Sequence, residues 1–507
     1  MSVTKSSPTC PSNAIARSGW GGYGPPMPPG TPALETVLHA QSPRFTPRPI
    51  PLVSRLISIF APLLFVILTA QAFWRQGLGM WSVGIVYILY DTSLLLFTAW
   101  QIRKLVHDAA VPAAAGPRPT LGVIVAAHNE AGVIRLTIDR LLAQAEAPEA
   151  ILIADDGSSD DTPGAMLAGY GLAAPAVGGL IETTVGSTRL QWLRLPHGGK
   201  ARALNQALQR SRTDVVLTVD ADTLLEPGAI AAMRAAFVRD PTLVAATGVL
   251  VPICGPSLSG RLFEWFQSYE YVRNFLSRDA WMQVNGLLLI SGAFAAFRRE
   301  AVLAVGGFDP DCMVEDYELI HRLHRHSHDQ GLGWHVGVVG GALARTDAPA
   351  SIRAFLKQRQ RWFGGFLQTQ HWNRDMVGNA NYGLLGTRML PVKALDTLQP
   401  IYGLGAFAIL IWLVATGRFY LAFPILLVMI AKIVIDLTFH LWSLGIYKRW
   451  TGQREGLRLG PALIAAIAEP FSFQLLRHAG AIYGWYAFLT GSQTWSRQTR
   501  TALEHQA

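Results

Sequence analysis

The sequence predicts a cytosolic α/β domain with a Rossmann-like, mostly parallel sheet, inserted between transmembrane helices. Strand-like apolar runs alternate with helical patterns over residues 118–350, as in sheets that are covered by helices on both faces. Uncharged runs long enough to cross a bilayer stand before and after this region. Pairs of carboxylates follow two of the apolar strands, at the carboxyl ends where parallel sheets bind ligands.

The N-terminal part divides into a tail and two spans. Residues 1–50 are rich in Pro, Gly and Ser, which predicts a disordered tail. Residues 51–104 contain two long apolar runs, in which Asp91 is the one acidic residue. Basic residues flank this pair of runs, so the positive-inside rule places both the tail and the domain that follows in the cytoplasm.

Within the central domain, short apolar runs and helical patterns alternate. Strands are predicted at Leu121–Ala127, Ala150–Ala154, Leu190–Leu195 and Val215–Val219. Helices are predicted between them at Ala131–Gln144 and Ala201–Arg210.

Two stretches that follow mix aromatic with basic residues, Leu262–Trp281 and Ile352–Trp372, and both are too polar to span a membrane. They predict amphipathic helices at the membrane interface, and ordinary amphipathic core helices are the alternative. The second stretch opens a segment of interfacial helices over residues 351–396.

Apolar runs resume over residues 397–491 and predict three further spans, followed by a tail at residues 492–507. One run contains Lys432 and Asp436, which share a helix face because they are four residues apart. Lone charges are costly in lipid, so the two side chains are expected to pair inside the helix bundle. Charges also interrupt residues 461–490, and the path of that run stays open.

Composition agrees with a membrane protein that carries a large soluble domain. Half of the 507 residues are hydrophobic, 15% are charged, and 15 are Trp. The net charge of +9 suits anionic lipid head groups and anionic nucleotides. Nucleic acid is disfavoured, because the chain has no basic block with interleaved aromatic residues.

Neither the cysteines nor the clustered histidines predict a metal site. The three cysteines are far apart and match neither a disulfide framework nor a metal-binding spacing. A run of histidines is interpreted as the polar side of a helix, because no second cluster completes a zinc site. Its members are His321, His324, His326 and His328.

Asp220 and Asp222 follow the apolar strand Val215–Val219. Two carboxylates at i and i+2 beyond a strand end can hold a divalent cation together with phosphate oxygens, and Mg²⁺ or Mn²⁺ suits such ligands. Taken alone, the same pattern would equally describe a solvated strand end.

Asp155 and Asp156 end another apolar strand, just before Gly157. Their carboxylates can accept hydrogen bonds from a nucleoside, and the alternative is a plain Asp-Gly turn. Lys200 opens a helix after two glycines, where backbone and charge can both receive a phosphate, although many helices begin in this way.

Glu315 and Asp316 open a further helix, where a carboxylate is often no more than a partner of the helix dipole. Gln358, Arg361 and Trp362 lie together on a later helix. Arg361 can neutralise a departing diphosphate, and Trp362 offers a flat face to a sugar ring. The alternative for these two is anchoring at the lipid head groups.

Taken in order, these motifs resemble those of the processive family-2 glycosyltransferases, which include cellulose, chitin, hyaluronan and poly-N-acetylglucosamine synthases. The motifs are Asp155-Asp156-Gly157-Ser158, Asp220-Ala221-Asp222, Glu315-Asp316 and Gln358-Arg359-Gln360-Arg361-Trp362. The resemblance covers residues 50–495 and implies a GT-A fold for the central domain.

The resemblance implies a role for each motif. Asp220 and Asp222 would hold the metal on the nucleotide diphosphate, and Asp316, next to Glu315, would be the general base. The nucleotide sugar would be bound by Asn129, Glu130, Asp155, Asp156, Lys200 and Arg361, and the acceptor by Ser291, Gly292, Gln358 and Trp362. The family's Thr before the acidic pair is Val314 here, which is expected to cost a hydrogen bond near the acceptor.

The predicted activity is an inverting transfer from a UDP-sugar, UDP-N-acetylglucosamine or UDP-glucose, to a growing β-linked polysaccharide that leaves through the transmembrane bundle. One base without an evident nucleophile favours inversion. Other expected partners are the lipids of the inner (plasma) membrane. An accessory membrane subunit stays open, since the chain ends too soon after its last span for a cyclic-di-GMP domain.

Two other functions stay open on the sequence. Ceramide glucosyltransferases carry a similar motif around Arg361-Trp362, so transfer of a single sugar to a lipid acceptor is the first alternative. A transporter or scaffold with an inactive transferase domain is the second, and it is disfavoured because no key carboxylate is replaced.

Overall fold

The computed structural model describes residues 33–75, 77–103, 105, 117–453 and 459–491. Its strands are β1 (Leu121–Ala127), β2 (Ala150–Asp156), β3 (Leu180–Val185), β4 (Thr188–Leu195), β5 (Val215–Asp220), β6 (Thr223–Leu225), β7 (Leu243–Ile253), β8 (Phe294–Arg298) and β9 (His335–Asp347). Its α-helices are α1 (Leu34–Gln41), α2 (Leu52–Gln71), α3 (Ser82–Ile102), α4 (Ile134–Leu142), α5 (Thr162–Tyr170), α6 (Lys200–Arg210), α7 (Ala229–Arg239), α8 (Leu258–Met282), α9 (Arg299–Ala304), α10 (Glu315–Gln330), α11 (Ile352–Trp372), α12 (Leu390–Asp396), α13 (Gln399–Ala415), α14 (Phe419–Thr451), α15 (Leu459–Ala468) and α16 (Phe473–Thr490). Shorter helical segments are Gly77–Trp81, Ala380–Tyr382, Leu385–Met389 and Glu469–Phe471.

The described strands form a single sheet in the order β3-β4-β2-β1-β5-β8-β7-β9-β6. β1 lies in its interior, parallel to β2 and β5, and β4 is parallel to β2. These strands consist mainly of Val, Ile, Leu and Ala and are buried on both faces, because helices cover each side. Parallel pairing brings their carboxyl ends to one edge, so the side chains after β1, β2 and β5 gather there.

The predicted α/β fold with a mostly parallel sheet is confirmed, and three described strands, β3, β6 and β8, run against the others. The strands and helices predicted between Leu121 and Val219 are present. The helix after β1 is shorter than predicted, since it starts at Ile134 and not at Ala131. Residues 131–133 instead form a turn in which Val133 and Ile134 both donate to the carbonyl of Glu130.

The segment before the first span differs from the disordered tail predicted for residues 1–50. Leu34 and Leu38 of α1 are buried, and they lie four residues apart on one helix face. Arg44 then pairs with Asp309 at 3.3 Å in the loop that leads to α10. These contacts offset the ordering entropy that Pro and Gly content alone would leave uncompensated. The part of the predicted tail before residue 33 lies outside the described residues.

Helix α11 packs along α16, and the approach is close because glycines of α16 face it. A Cβ added to Gly484 would lie 2.8 Å from the backbone nitrogen of Gly364. A Cβ added to Gly480 would lie 2.5 Å from the Cβ of Arg359. The placement of α8 and α11 at a membrane interface stays a prediction.

By length and composition, three helices in the described part could cross a membrane: Leu52–Gln71, Gly77–Ile102 and Phe423–Thr451. The bent pair Leu385–Asp396 and Gln399–Ala415 would be a fourth if it counts as one span. The last apolar run is broken into α15 and α16 by the short helix Glu469–Phe471. Two spans before the domain and three after it therefore stay a prediction, and residues 492–507 lie outside the described chain.

Lys432 pairs with Asp436, as the spacing of four predicts. The structure adds Asp91 of α3, whose carboxylate oxygen lies 2.7 Å from the same ammonium nitrogen. Gln399 of α13 also donates to Asp91, at 3.2 Å. Two carboxylates thus share one cation, which compensates their burial and joins α3 to α14.

Candidate active site

A cavity of about 1120 Å³ opens at the carboxyl edge of the parallel strands. This volume can hold a nucleotide sugar together with part of an acceptor. Apart from Asp155, the residues predicted for the site all line this cavity, and their individual roles stay predictions. They are Asn129, Glu130, Asp156, Lys200, Asp220, Asp222, Ser291, Gly292, Glu315, Asp316, Gln358, Arg361 and Trp362.

Asp155 does not reach the cavity, in contrast to its predicted contact with a nucleoside. Its side chain is fully buried, and Oδ1 accepts the backbone N–H of Ser158 at 2.8 Å. Oδ2 lies 3.4 Å from the indole nitrogen of Trp192. The reason is the strand itself, because neighbouring residues of a strand point to opposite faces. Asp155 therefore holds the turn after β2, as the structural alternative proposes.

Asp156 lines the cavity and fixes the loop before α6. Its carboxylate accepts the backbone N–H groups of Gly198 at 2.7 Å and Gly199 at 2.9 Å. Gly199 has φ +93°, a conformation that side chains with a Cβ rarely adopt. The turn delivers Lys200 to the start of α6, where the positive end of the helix dipole faces the cavity.

His128 and His197 come together beside Asp156, a group that the sequence did not predict. The two rings stack with centroids 4.4 Å apart, and each Nδ1 donates to the carbonyl of Asp156, at 2.8 Å and 3.1 Å. Ligand atoms of the three residues lie within 4.8 Å of one another. Their hydrogen bonds to the Asp156 carbonyl explain the arrangement without a bound ion.

Two histidines of α10, His321 and His324, depart from the predicted polar helix side, whereas His326 is half-buried and His328 is exposed. His321 is fully buried and its Nδ1 donates to the carbonyl of Tyr317 at 2.8 Å. His324 is also buried, with Nε2 2.9 Å from the carbonyl of Leu287. Burial lowers the pKa of His321 to about 3, so this ring is neutral and packs as part of the core.

Asp220 and Asp222 lie at the end of β5, where Lys200 contacts Asp220 through its ammonium group. Burial raises the pKa of Asp222 to about 8, and the nearby charges of Asp220 and Asp347 add to the rise. Three carboxylates in one place repel each other, so a cation would relieve the cluster. Oxygen ligands in an open cavity fit Mg²⁺ or Mn²⁺ bound together with a phosphate.

Asp316 is held rigidly at the first turn of α10. Its Oδ2 accepts the backbone N–H of Gly292 at 2.7 Å, and its Oδ1 accepts the N–H of Tyr317 at 2.8 Å. A carboxylate has about four lone-pair sites, so both oxygens can still accept a further hydrogen bond. The neighbouring Glu315 lies 3.8 Å from Lys200, and burial raises the pKa of its carboxyl group.

Helix α11 forms the wall opposite the sheet. Gln358, Arg361 and Trp362 line the cavity, and the field of Arg361 reaches Glu315. Arg359, which also lines the cavity, pairs with Glu270 at 2.7 Å and fixes the helix against α8. Val314, which replaces the family's Thr, is buried at Gly365, where an added Cβ would come within 2.5 Å of it.

Some cavity residues escaped the sequence reasoning. Helix α8 contributes Tyr271, Asn274 and Arg278, and the end of β9 contributes Asp347. The aromatic and basic pattern of α8 is visible in the sequence, but it was assigned to the membrane interface. Helical spacing identifies such a face, whereas only tertiary packing shows what it faces.

Gly292→Ala is expected to lower turnover on the order of 10- to 100-fold, because displacement of a catalytic group is costly. An added Cβ would lie 2.9 Å from Oδ2 of Asp316 and would push that carboxylate from its position. Gly228→Ala is the matched control, since its Cβ would meet nothing within 4 Å. Steady-state assays of both purified variants check the prediction, and equal turnover would contradict it.

An α/β sheet with carboxylates at its carboxyl edge, beside a helix with the Gln-x-x-Arg-Trp motif, defines a GT-A-like glycosyltransferase. Residues 117–365 match the family model described as glycosyltransferase like family 2, and the chain therefore carries a family-2 glycosyltransferase domain. The predicted resemblance to the processive members of this family is confirmed.

The chain is similar to poly-β-1,6-N-acetyl-D-glucosamine synthases. The enzyme of Staphylococcus aureus is 26% identical over 336 residues, which cover 66% of this chain and 71% of the relative. The Staphylococcus epidermidis enzyme is 26% identical over 246 residues, or 48% and 54% of the two chains. A solved mannosyltransferase of Pyrobaculum calidifontis, in complex with GDP-Man and Mn²⁺, aligns at 20% identity and a TM-score of 0.49, covering 78% of this chain and 99% of that one.

Proposed function

We propose that this chain is an inverting, metal-dependent hexosyltransferase that extends a β-linked polysaccharide from a UDP-sugar. The observation that carries the proposal is the one cavity onto which Asp222, Asp316 and Trp362 open from distant parts of the chain. Similarity to the poly-β-1,6-N-acetyl-D-glucosamine synthases supports UDP-N-acetylglucosamine as donor ahead of UDP-glucose.

At the donor end, Asp220 and Asp222 would hold Mg²⁺ or Mn²⁺ with the donor diphosphate. When bound, the cation neutralises charge on the leaving group. Lys200 and Arg361 would add positive charge there, because both line the cavity. Asn129, Glu130 and Asp156 would contact the nucleoside, at the ends of β1 and β2.

At the acceptor end, Asp316 would take the proton of the attacking hydroxyl. Its two backbone hydrogen bonds fix the carboxylate, so the acceptor oxygen meets a base whose orientation needs no rearrangement. With one base and direct displacement, the anomeric centre is inverted. Trp362 would stack on the acceptor ring, and Gln358, Ser291 and Gly292 would line its other sides.

The cavity wall also points to an exit path. It continues from Trp362 to Arg477, His478 and Asp91, which belong to the helical bundle. A product that grows from the Asp316 end would therefore enter the bundle. In this proposal the catalytic domain faces the cytoplasm at the inner membrane, and the bundle exports the polymer.

The test is a donor screen with the purified protein in lipid nanodiscs. UDP release from UDP-N-acetylglucosamine and UDP-glucose is measured with and without Mn²⁺ or Mg²⁺, and radiolabelled products are sized. We expect cation-dependent UDP release and long products. A single sugar on a lipid would support the lipid-acceptor alternative, and no UDP release from any UDP-sugar would overturn the proposal.

A further inference from the structure

Helix α8 turns one face to the cavity. Tyr271, Asn274, Phe275 and Arg278 line it, and their spacing of three and four residues places them on one side of the helix. Arg278 is the charged member of this group. Neither the family motifs nor the predicted site includes it.

Two nitrogens of the Arg278 guanidinium lack an acceptor in the described part of the chain. Within the described chain no acceptor reaches its Nε or Nη1, although both atoms are buried. The neighbouring Arg359 also has a buried Nε without an acceptor among the described residues, but its Nη2 pairs with Glu270 at 2.7 Å. The ring of Phe275 lies next to the Arg278 guanidinium, with its centroid 4.5 Å from Cζ. Buried charged donors without an acceptor are costly, so an oxygen of a ligand would satisfy them.

Its electrostatic neighbours place Arg278 in the acceptor half of the cavity. Burial lowers its pKa to about 10, and the groups that act against this shift are Tyr271 and Asp316. Lys200 also interacts with Asp316, but the charges that act on it most strongly are those of Asp220 and Glu315 at the donor end. Arg278 and the base therefore line the same cavity and act on each other electrostatically.

Gln358 offers a hydrogen-bond acceptor to the cavity, in contrast to the donors of Arg278. Its Oε1 is buried, lines the same cavity and, among the described residues, has no donor. A sugar unit carries hydroxyl donors as well as oxygen acceptors, so it can satisfy both residues. A fully ionised phosphate offers acceptors alone and would leave Gln358 unmatched. The pair therefore favours a carbohydrate acceptor.

We propose that Arg278 binds the acceptor sugar, donating from Nε and Nη1 to the oxygens next to the hydroxyl that Asp316 deprotonates. This inference rests on the proposed function and adds an acceptor-binding residue to it. Arg278 exchanges no proton in the reaction, because a guanidinium stays charged at neutral pH. Its effect is on the affinity and orientation of the acceptor.

The test compares Arg278→Gln and Arg278→Lys with Arg261→Gln, an exposed arginine of the same helix. Purified proteins receive UDP-N-acetylglucosamine and a β-1,6-linked N-acetylglucosamine oligosaccharide. Three quantities are measured: KM for the oligosaccharide, KM for the donor, and donor hydrolysis without acceptor. Transfer to a polyprenyl phosphate is run in parallel to distinguish the two kinds of acceptor.

We expect Arg278→Gln to raise the KM for the oligosaccharide on the order of 10- to 100-fold, as for loss of a charged hydrogen bond. The donor KM and donor hydrolysis stay at the level of Arg261→Gln. Arg278→Lys restores part of the acceptor affinity, which a damaged fold would not allow. An unchanged oligosaccharide KM, an equal rise in the donor KM, or a loss confined to the polyprenyl phosphate would overturn the inference. A wild-type protein without transfer would overturn the proposed function itself.

Discussion

Asp316→Asn is expected to lower sugar transfer by about 10²- to 10⁴-fold, the usual contribution of a general base. The amide cannot take the proton of the acceptor hydroxyl. The substitution also changes the local hydrogen bonds, because the carboxylate accepts N–H groups at both oxygens. One of these N–H groups would face the amide NH₂, at a cost of about 1–3 kcal/mol.

The control is Glu300→Gln, the same carboxylate-to-amide change in the first turn of α9 at an exposed position. Transfer rates and binding of UDP are compared in both purified variants. Retained UDP binding by Asp316→Asn would show that the donor site is folded while transfer is lost. A near-normal transfer rate would eliminate Asp316 as the base.

Asp222→Asn is expected to lower transfer on the order of 10²- to 10³-fold and to weaken the binding of Mn²⁺. The removed carboxylate is one of two that would hold the cation, and a cation on the leaving group stabilises the transition state by several kcal/mol. The folded state should tolerate the change, since burial and the nearby charges of Asp220 and Asp347 already disfavour the charged form of Asp222.

Asp139→Asn on the exposed side of α4 is the matched control. The thermal unfolding temperature and the transfer rate of each variant are measured as functions of Mn²⁺ concentration. Together they distinguish the loss of the cation site from a loss of the folded structure. If Asp222→Asn bound Mn²⁺ as tightly as Asp139→Asn does, the cation site would have to lie elsewhere.

Elements whose signal is local could be predicted from the sequence. β1, β2 and β5 are apolar runs, of which β2 and β5 end at acidic residues, and parallel pairing is enough to bring their carboxyl ends together. The lysine that opens α6 follows the same logic, because the helix begins where the glycines end.

Asp155 shows that a role predicted for a motif need not hold for each residue of that motif. The pair Asp155-Asp156 sits on one strand, and alternation sends the first side chain to Trp192 and the second to the glycine loop. The period of the strand was available in the sequence. The sequence does not show which face of β2 is next to the cavity, because that depends on how the strand is placed between β1 and β4.

The remaining differences come from distant partners. Leu34 and Leu38 are ordered by a loop more than two hundred residues further along, at Gly306-Gly307. Arg278 lies on a helix face that looks equally suited to lipid head groups, and only packing turns it to Asp316. Composition and spacing describe a segment by itself, so neither could have identified these partners.

The close contact between the glycines of α11 and α16 bears on the position of Trp362, which lies on α11. A Cβ added to Gly484 would lie 2.8 Å from the Gly364 nitrogen, so the two helix backbones are in close contact and leave no room for a larger side chain between them. Trp362 therefore lies on a helix that packs against α16, whereas Asp316 lies on α10. Any shift of α11 and α16 relative to α10 would change the gap between Trp362 and Asp316, in which the glycosidic bond would form.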